Sequence, residues 1–230
     1  MADDPYIAPA PEAAVASGPR LKPDTIIVPA LSAALLLCSW QKWLPINLTE
    51  AWGFATGALC VWLVTKSNIW NWPIGLANNI FFAILFWKTK LYADCGLQGV
   101  YFGFGIWGWW QWLHGGHSHS KLKVSRASWI EWVSIVAFIV LGTWGMWEML
   151  VRAGGASPFW DALSTAICLA AQYLLCRKKI ENWWLWITAD LIYVPLYFYR
   201  ELPLTAFLYA GFIVLCILGL KRWKKELQAA

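Results

Sequence analysis

Eight apolar stretches dominate this sequence and restrict its fold more than any other feature. Each approaches the ~20 residues that an α-helix needs to cross ~30 Å of hydrocarbon. Of the 230 residues, 13% are charged and 60% are apolar, whereas a soluble domain carries about 25% charged residues. The sequence therefore predicts an all-α integral membrane protein in contact with a lipid bilayer. The stretches are residues 25–44, 51–67, 70–88, 97–113, 129–151, 159–176, 183–200 and 204–221.

The first stretch differs from the seven that follow it. It contains Pro29 and breaks at Gln41–Lys42, so it either spans the membrane or lies along the interface. We predict an additional N-terminal helix over 24–44, after a disordered tail over 1–23 that is rich in proline and has no apolar core. At the other end, residues 222–230 are predicted to form a basic cytoplasmic tail.

The basic residues between the core stretches predict the orientation of the chain. When the 51–67 stretch is counted as core helix 1, the loops after odd-numbered core helices hold eleven Lys and Arg residues, and the opposite side holds five. Positively charged loops concentrate on the cytoplasmic side. The C-terminus is therefore predicted to be cytoplasmic, and the net charge of +5 reflects topology and not nucleic-acid binding.

An internal repeat converts the helix count into an architecture. A shift of 111 residues along the chain places Asn71–Trp72 on Asn182–Trp183 and Trp112 on Trp223. We call this shift the repeat offset. Core helices over 51–113 and 159–221 are then two copies of a three-helix unit, and the helix over 129–151 links them. One intervening helix gives both units the same membrane orientation. The predicted fold is a 3+1+3 arrangement of parallel repeats, in which binding sites lie at the repeat interface.

The seventh core stretch carries a polar and aromatic stripe around an aspartate. Steps of three and four residues place five side chains on one helix face. A carboxylate at bilayer depth costs about 2.5–3.5 kcal/mol, so Asp190 is expected to face a partner or a wet cavity. Aromatic side chains on both sides of it favour a flat, polar ligand that carries a positive charge. The stripe is Trp183, Trp186, Asp190, Tyr193 and Tyr197, and the repeat places Asn79 opposite Asp190.

Several motifs together resemble the PnuC family of bacterial vitamin transporters. They are Trp72-Pro-Ile-Gly-Leu-Ala-Asn-Asn-Ile, Leu91-Tyr-Ala-Asp, Leu97-Gln98, Gly108-Trp-Trp-Gln-Trp112 and the segment from Glu181 through Asp190 to Tyr193. The resemblance covers residues 50–225 and implies a fold akin to the sugar-transporting SWEET proteins. It also implies nicotinamide riboside uptake across the inner membrane by facilitated diffusion, with cytosolic phosphorylation trapping the vitamin. Relatives carry thiamine or riboflavin, and homotrimers are a further implication that the residues neither support nor exclude.

Nicotinamide riboside is a pyridinium cation with a carboxamide and a ribose, and each part favours a different residue type. The ring stacks on Trp or Tyr, the carboxamide pairs with Asn or Gln, and an acid accepts from hydroxyls or balances charge. Structural alternatives stay open: interhelical hydrogen bonds for the amides and the acid, and membrane-interface anchoring for the tryptophans. The candidate binding residues are Asn78, Asn79, Gln98, Gln172, Trp183, Trp186, Asp190, Tyr193 and Tyr197.

Other chemistries find less support in the sequence. The His114–Ser120 segment is rich in glycine and serine and is predicted to be a solvated loop and not a metal site. Six cysteines without a CxxC pair are predicted to be free thiols. No hydrolase, metalloprotease or P-loop motif occurs, so neither an enzyme, nor a cofactor, nor an ATP-driven pump is expected. A transporter of another flat vitamin or a sugar, an intramembrane enzyme and a membrane sensor remain the alternatives.

Overall fold

Each of the eight apolar stretches forms an α-helix. The structure is a computed structural model that describes residues 24–43, 48–88, 90, 92–154 and 156–229; the tail predicted over 1–23 lies outside these residues, as does Leu91. The all-helical prediction is confirmed. The helices are α1 (Asp24–Trp40), α2 (Leu48–Thr65), α3 (Asn71–Lys88), α4 (Tyr92–His114), α5 (Trp129–Arg152), α6 (Pro158–Cys176), α7 (Asn182–Tyr199) and α8 (Pro203–Gln228).

Three of the helices, α5, α6 and α8, are long and apolar enough to cross a membrane by length and composition. Shorter apolar segments occupy Ile27–Trp40 and Ala51–Thr65. Asparagines in α3, glycines and Gln98 in α4 and Asp190 in α7 lower the mean hydropathy of these helices. Several of these polar residues lie at an internal cavity described below, so the lower hydropathy has a structural cause.

Helices α4 and α8 extend furthest beyond the apolar stretches that predict them. Helix α4 begins at Tyr92 and continues to His114, and a single 3-10 turn follows at His117–His119. Helix α8 continues through the basic segment to Gln228, where a separate tail is predicted from position 222. Lysine, glutamate and leucine are good helix formers, and Trp223 in this extension is fully buried, so packing stabilises the extra turns.

The helices pack in two groups of three. Helices α2, α3 and α4 contact one another in chain order, and so do α6, α7 and α8. The groups are joined where α2 packs on α8 and where α4 packs on α6. Helix α5 packs against α6, and α1 packs against α2, so both lie outside the joined groups.

Turns in the two groups repeat the same backbone geometry. Ser67 and Lys178, which the repeat offset relates, both adopt a positive φ of 51°. Lys90 and Glu201, related by the same offset, have φ values of 62° and 58°. Non-glycine residues adopt such values infrequently, so their recurrence at one spacing shows that these turns have matching conformations.

The loops at the basic end of the helices are tied together. Ser125 N donates to Lys178 O at 3.2 Å, and Ile180 N donates to Ser125 O at 3.0 Å. Glu131, whose side chain joins Ser128 in a capping box at the start of α5, forms ion pairs with Arg177 at 3.1 Å and Lys179 at 3.5 Å. The α4–α5 and α6–α7 loops are thus held to each other.

Candidate binding cavity

A cavity of about 400 Å³ lies between the two groups of three helices. All six helices of these groups contribute to its wall, whereas neither α1 nor α5 contributes a described residue. Amides, tyrosines, tryptophans and one carboxylate supply its polar and aromatic surface. The lining residues are Gly53, Gly57, Cys60, Val61, Val64, Gly75, Asn78, Asn79, Tyr101, Cys168, Gln172, Leu175, Trp183, Trp186, Asp190, Tyr193, Tyr209, Phe212 and Cys216.

The structure brings most of the predicted binding residues together at this cavity. The lining includes Asn78, Asn79, Gln172, Trp183, Trp186, Asp190 and Tyr193. Two predicted residues, both within the described chain, are not in the lining. Gln98 is half-buried on α4, one turn before the lining residue Tyr101. Tyr197 stacks on the lining residue Tyr209, with ring centroids 5.1 Å apart and an interplanar angle of 11°.

Asp190 is buried, with a relative exposure of 5%. The Cys216 thiol donates to its Oδ2 at 3.8 Å, and a thiol is a weak donor. Within the described chain, Asp190 forms no ion pair, and no lysine, arginine or histidine lines the cavity. The carboxylate therefore lacks the cationic partner that a buried charge needs, and a cationic ligand would supply one.

Three tyrosines form an aromatic cluster beside Asp190. The rings of Tyr193 and Tyr209 lie 4.7 Å apart, and Tyr197 lies 5.8 Å from Tyr193. Tyr193 Oη is 3.7 Å from the Cys168 sulfur. A tyrosine side chain combines an apolar ring face with a hydroxyl that can donate and accept hydrogen bonds. The cluster can therefore contact both an aromatic ring and the hydroxyl groups of a ligand.

Four tryptophans form a chain of ring contacts that begins at the cavity wall. Trp183, with 1% exposure, meets Trp223 edge-on at 5.3 Å. Trp223 lies 6.0 Å from Trp112, which meets Trp72 edge-on at 5.4 Å. The two edge-on pairs are related by the repeat offset. We call Trp72, Trp112, Trp183 and Trp223 the tryptophan cluster.

Two hydrogen bonds cross between the helix groups at this cluster. Trp112 Nε1 donates to Leu175 O at 3.0 Å, and Trp223 Nε1 donates to Val64 O at 3.1 Å. The repeat offset relates the two donors to each other and the two acceptors to each other. All four residues are buried, so breaking either bond would leave unpaired polar groups. These bonds hold the groups together beside the cavity.

The basic side of the cluster is covered by polar contacts. Lys178 Nζ donates to Leu122 O at 3.2 Å and lies 4.8 Å from the centre of the Trp112 ring. Burial lowers the pKa of Lys178, and the nearby Glu226 opposes this effect. Ser67 Oγ donates to Glu226 Oε2 at 2.8 Å, which ties the α2–α3 turn to the end of α8.

The cavity amides differ in their partners. Asn78 Nδ2 donates to Thr56 Oγ1. Asn79 and Gln172, both half-buried, form no side-chain hydrogen bond with another described residue. The buried Trp183 Nε1 is also unpartnered in the described chain, as is Trp72 Nε1 outside the lining. The cavity thus offers amide donors and acceptors that a polar ligand can pair.

A second hollow of about 760 Å³ lies between the ends of α5, α6 and α7. Its wall includes Trp147, Phe159, Trp160, Pro195 and Leu196, and amides and carboxylates do not occur among its described residues. Helix α7 continues through Pro195 to Tyr199. In the described chain, this groove therefore lacks the amides and the carboxylate that line the cavity between the helix groups.

The residues missed from the sequence follow the repeat. Tyr101 and Phe212 both line the cavity and are related by the repeat offset, as are Gly57 and Cys168. Tyr209 is the counterpart of Gln98 at the same offset. Tyr101 is the one described lining residue of α4, whereas Tyr209 and Phe212 share a face of α8 with Cys216 at steps of three and four residues. None of these residues is an acid or an amide, so a search for polar residues at mid-helix does not find them.

Comparison with known proteins gives a consistent result. Residues 47–225 match a family model described as nicotinamide mononucleotide transporter. The chain is 26% identical over 204 residues to the nicotinamide riboside transporter PnuC of Escherichia coli K12, covering 77% of this chain and 85% of that protein. It is 25% identical to PnuC of Haemophilus influenzae, covering 80% and 84%. A crystal structure of the vitamin B3 transporter PnuC shares the fold, with a TM-score of 0.67, 23% identity, and coverage of 89% and 90%.

Proposed function

We propose, because the chain belongs to the nicotinamide mononucleotide transporter family, that it carries nicotinamide riboside across a membrane. The observation that carries this proposal is the buried Asp190, which lines the cavity among aromatic rings and amides without a cationic partner in the described chain. The pyridinium ring of nicotinamide riboside supplies the missing positive charge and a flat face for stacking.

Charge also separates the riboside from its phosphorylated form. Nicotinamide mononucleotide adds a phosphate, which proteins bind with arginine, lysine or several backbone N–H groups. The described lining holds no basic side chain, and Asp190 would repel the phosphate. The riboside therefore matches the cavity better than the mononucleotide does. The Escherichia coli and Haemophilus influenzae relatives are likewise named as nicotinamide riboside transporters.

The proposed architecture is 3+1+3, with α2–α4 and α6–α8 as parallel repeats, α5 as the linker helix and α1 as the additional helix. Support comes from the matched turns, the matched tryptophan pairs and the crossed hydrogen bonds, all of which obey the repeat offset. Transporters with repeats of this kind bind their substrate at the repeat interface, which is where the cavity lies.

Transport in this proposal is facilitated diffusion by relative movement of the two repeats. Passage toward the basic face requires the tryptophan cluster to part, and hence the crossed hydrogen bonds to break. The basic loops favour a bacterial inner-membrane protein with a cytoplasmic C-terminus, so uptake delivers the riboside to the cytosol, where phosphorylation traps it. Seven spanning core helices and a homotrimeric assembly remain predictions; the exposed apolar face of α5 is suited to lipid or to a neighbouring copy.

Uptake into proteoliposomes tests the transport proposal. Purified protein should take up labelled nicotinamide riboside to equilibrium without ATP or an ion gradient, and excess unlabelled riboside inside should accelerate exchange. Nicotinamide mononucleotide should not compete at equal concentration. Empty liposomes are the control. Uptake that needs a proton or sodium gradient would replace diffusion with coupled transport, and absence of uptake under all conditions would overturn the function.

A further inference from the structure

Thr56 lies behind the cavity wall and contacts the cavity through Asn78. Its hydroxyl donates to Trp52 O at 2.7 Å and is 3.2 Å from Gly53 O. Asn78 Nδ2 donates to the same Thr56 oxygen across the α2–α3 contact. Asn78 lines the cavity and Thr56 does not. A chain of hydrogen bonds therefore connects the α2 backbone to one polar group of the cavity.

The direction of this chain follows from the number of protons. A threonine hydroxyl has one proton and two acceptor positions. Because the proton is used on the α2 backbone, Oγ1 can only accept from Asn78. The amide nitrogen of Asn78 is consequently held toward Thr56. Its Oδ1 has no hydrogen-bond partner in the described part of the chain, and because Asn78 lines the cavity, this oxygen can accept from a ligand.

Without Thr56, the Asn78 amide could turn and offer either its carbonyl oxygen or its NH₂ group. With Thr56, the cavity gains a fixed acceptor at Asn78 in addition to the acceptor carboxylate of Asp190. The other amides and the tyrosines of the lining can donate or accept, whereas these two positions only accept, so they favour a ligand that donates hydrogen bonds to them. A carboxamide donates through its NH₂ group, whereas a carboxylate at the same ring position only accepts.

We infer that Thr56 is a positioning residue that fixes Asn78 as an acceptor and thereby makes the cavity select a pyridine riboside with a carboxamide over one with a carboxylate. The inference rests on the proposed function and specifies the substrate class of the same site. We expect the riboside with a carboxylate to bind more weakly, because its carboxylate and Asn78 Oδ1 are both acceptors and because Asp190 repels its negative charge. Unfavourable contacts of this kind are an effective source of selectivity.

Binding measurements on two Thr56 variants test this inference. Thr56→Val keeps the shape of the side chain and removes the hydroxyl, and Thr56→Ser keeps the hydroxyl. Affinities for nicotinamide riboside and nicotinic acid riboside are measured by calorimetry in detergent, with thermal unfolding as the test of folding. The wild-type protein and Thr56→Ser should bind the carboxamide form more tightly. In Thr56→Val the preference should fall about tenfold, the size expected for one hydrogen bond.

The nicotinic acid riboside affinity is the informative readout, because it should increase in Thr56→Val as the Asn78 amide becomes free to turn. Structural damage would weaken both ligands. In an Asn78→Ala background, Thr56→Val should leave the preference unchanged. Equal weakening of both ligands, an unchanged ratio, or a wild-type protein without preference would overturn the positioning role while leaving riboside transport in place. Failure of the wild-type protein to bind nicotinamide riboside would instead overturn the proposed function, and the inference with it.

Discussion

Asp190 lies in the cavity wall with the Cys216 thiol as its hydrogen-bond donor. A buried carboxylate is costly unless a partner compensates its charge. Asn79 occupies the matching position in the first helix group and also lines the cavity, but an amide carries no charge. The two helix groups thus present a neutral and an acidic version of one position, and only the acidic one can balance a cation.

Replacement of Asp190 by asparagine should weaken nicotinamide riboside binding about 10–100-fold, because hydrogen bonds to a charged group contribute about 1.5–3 kcal/mol. Calorimetry in detergent measures the change, and unfolding temperature confirms that the variant folds. Thr188→Val is the matched control, since Thr188 is exposed on the same helix and bonds to Trp184 O within that helix. Unchanged affinity in Asp190→Asn would assign the carboxylate to scaffolding.

Trp186 is a second residue whose role can be isolated. It lines the cavity, whereas Trp184 on the same helix is 53% exposed. Trp186→Ala should reduce riboside affinity by about 1–2 kcal/mol if the ring stacks on the pyridinium, and Trp184→Ala should have no effect. Titrations of both variants make the comparison. Unchanged affinity in Trp186→Ala, or an equal loss in Trp184→Ala, would contradict stacking of the ligand on the Trp186 ring.

Steps of three and four residues define one face of α7, and four of the five stripe residues on that face line the cavity; their role in binding stays a prediction. The same reasoning misses Tyr101 and Tyr209, which line the cavity from α4 and α8. Tyr101 is the one described lining residue from α4, and Tyr209 shares its face of α8 with the lining residues Phe212 and Cys216. Which face of each helix meets the cavity depends on how that helix packs against the others. Gln98, although polar, lies one turn from Tyr101 outside the lining, and sequence alone does not set that rotation.

At the scale of helices, two glycines determine how closely neighbouring helices approach. A Cβ atom at Gly219 on α8 would collide with the Trp183 ring, and one at Gly108 on α4 would collide with the Trp72 ring. Small residues at helix contacts allow such close approach in membrane proteins. Because these two glycines have no side chain, the Trp183 ring packs directly on α8 and the Trp72 ring packs directly on α4. This contact helps to set the geometry of the tryptophan cluster.

Gly219→Ala should therefore destabilise the protein by about 1–3 kcal/mol, the usual cost of overpacking. Gly211→Ala on the same helix should not, because a Cβ at Gly211 meets no heavy atom within 4 Å in the described chain. Thermal unfolding followed by tryptophan fluorescence compares the variants. If Gly219→Ala were as stable as Gly211→Ala, the close contact between Gly219 and the Trp183 ring would not determine how these helices pack.

Helix ends are less predictable than helix positions. Apolar stretches locate all eight helices because lipid requires backbone hydrogen bonds to be satisfied internally. They do not show that α8 continues to Gln228 or that α4 starts at Tyr92. Those ends depend on contacts such as the burial of Trp223 and on the ties between loops, which bring together residues distant in sequence.

For the molecule as a whole, the proposed transport depends on two helix groups with a cavity between them. The repeat offset is visible in a few sequence positions, and it also relates the crossed hydrogen bonds, the turn conformations and several lining residues. Pairing between the groups is not encoded by a local pattern. Trp112 and Leu175, for instance, come together only when α4 packs on α6.

A structure determined with nicotinamide riboside bound is the decisive measurement for the proposed site. We expect the pyridinium ring to lie in the cavity between the helix groups, against Trp183 or Trp186, with its positive charge about 4–6 Å from the Asp190 carboxylate. A ligand bound in the apolar groove beside Pro195, or bound in the cavity with the ring remote from Asp190, would contradict this expectation.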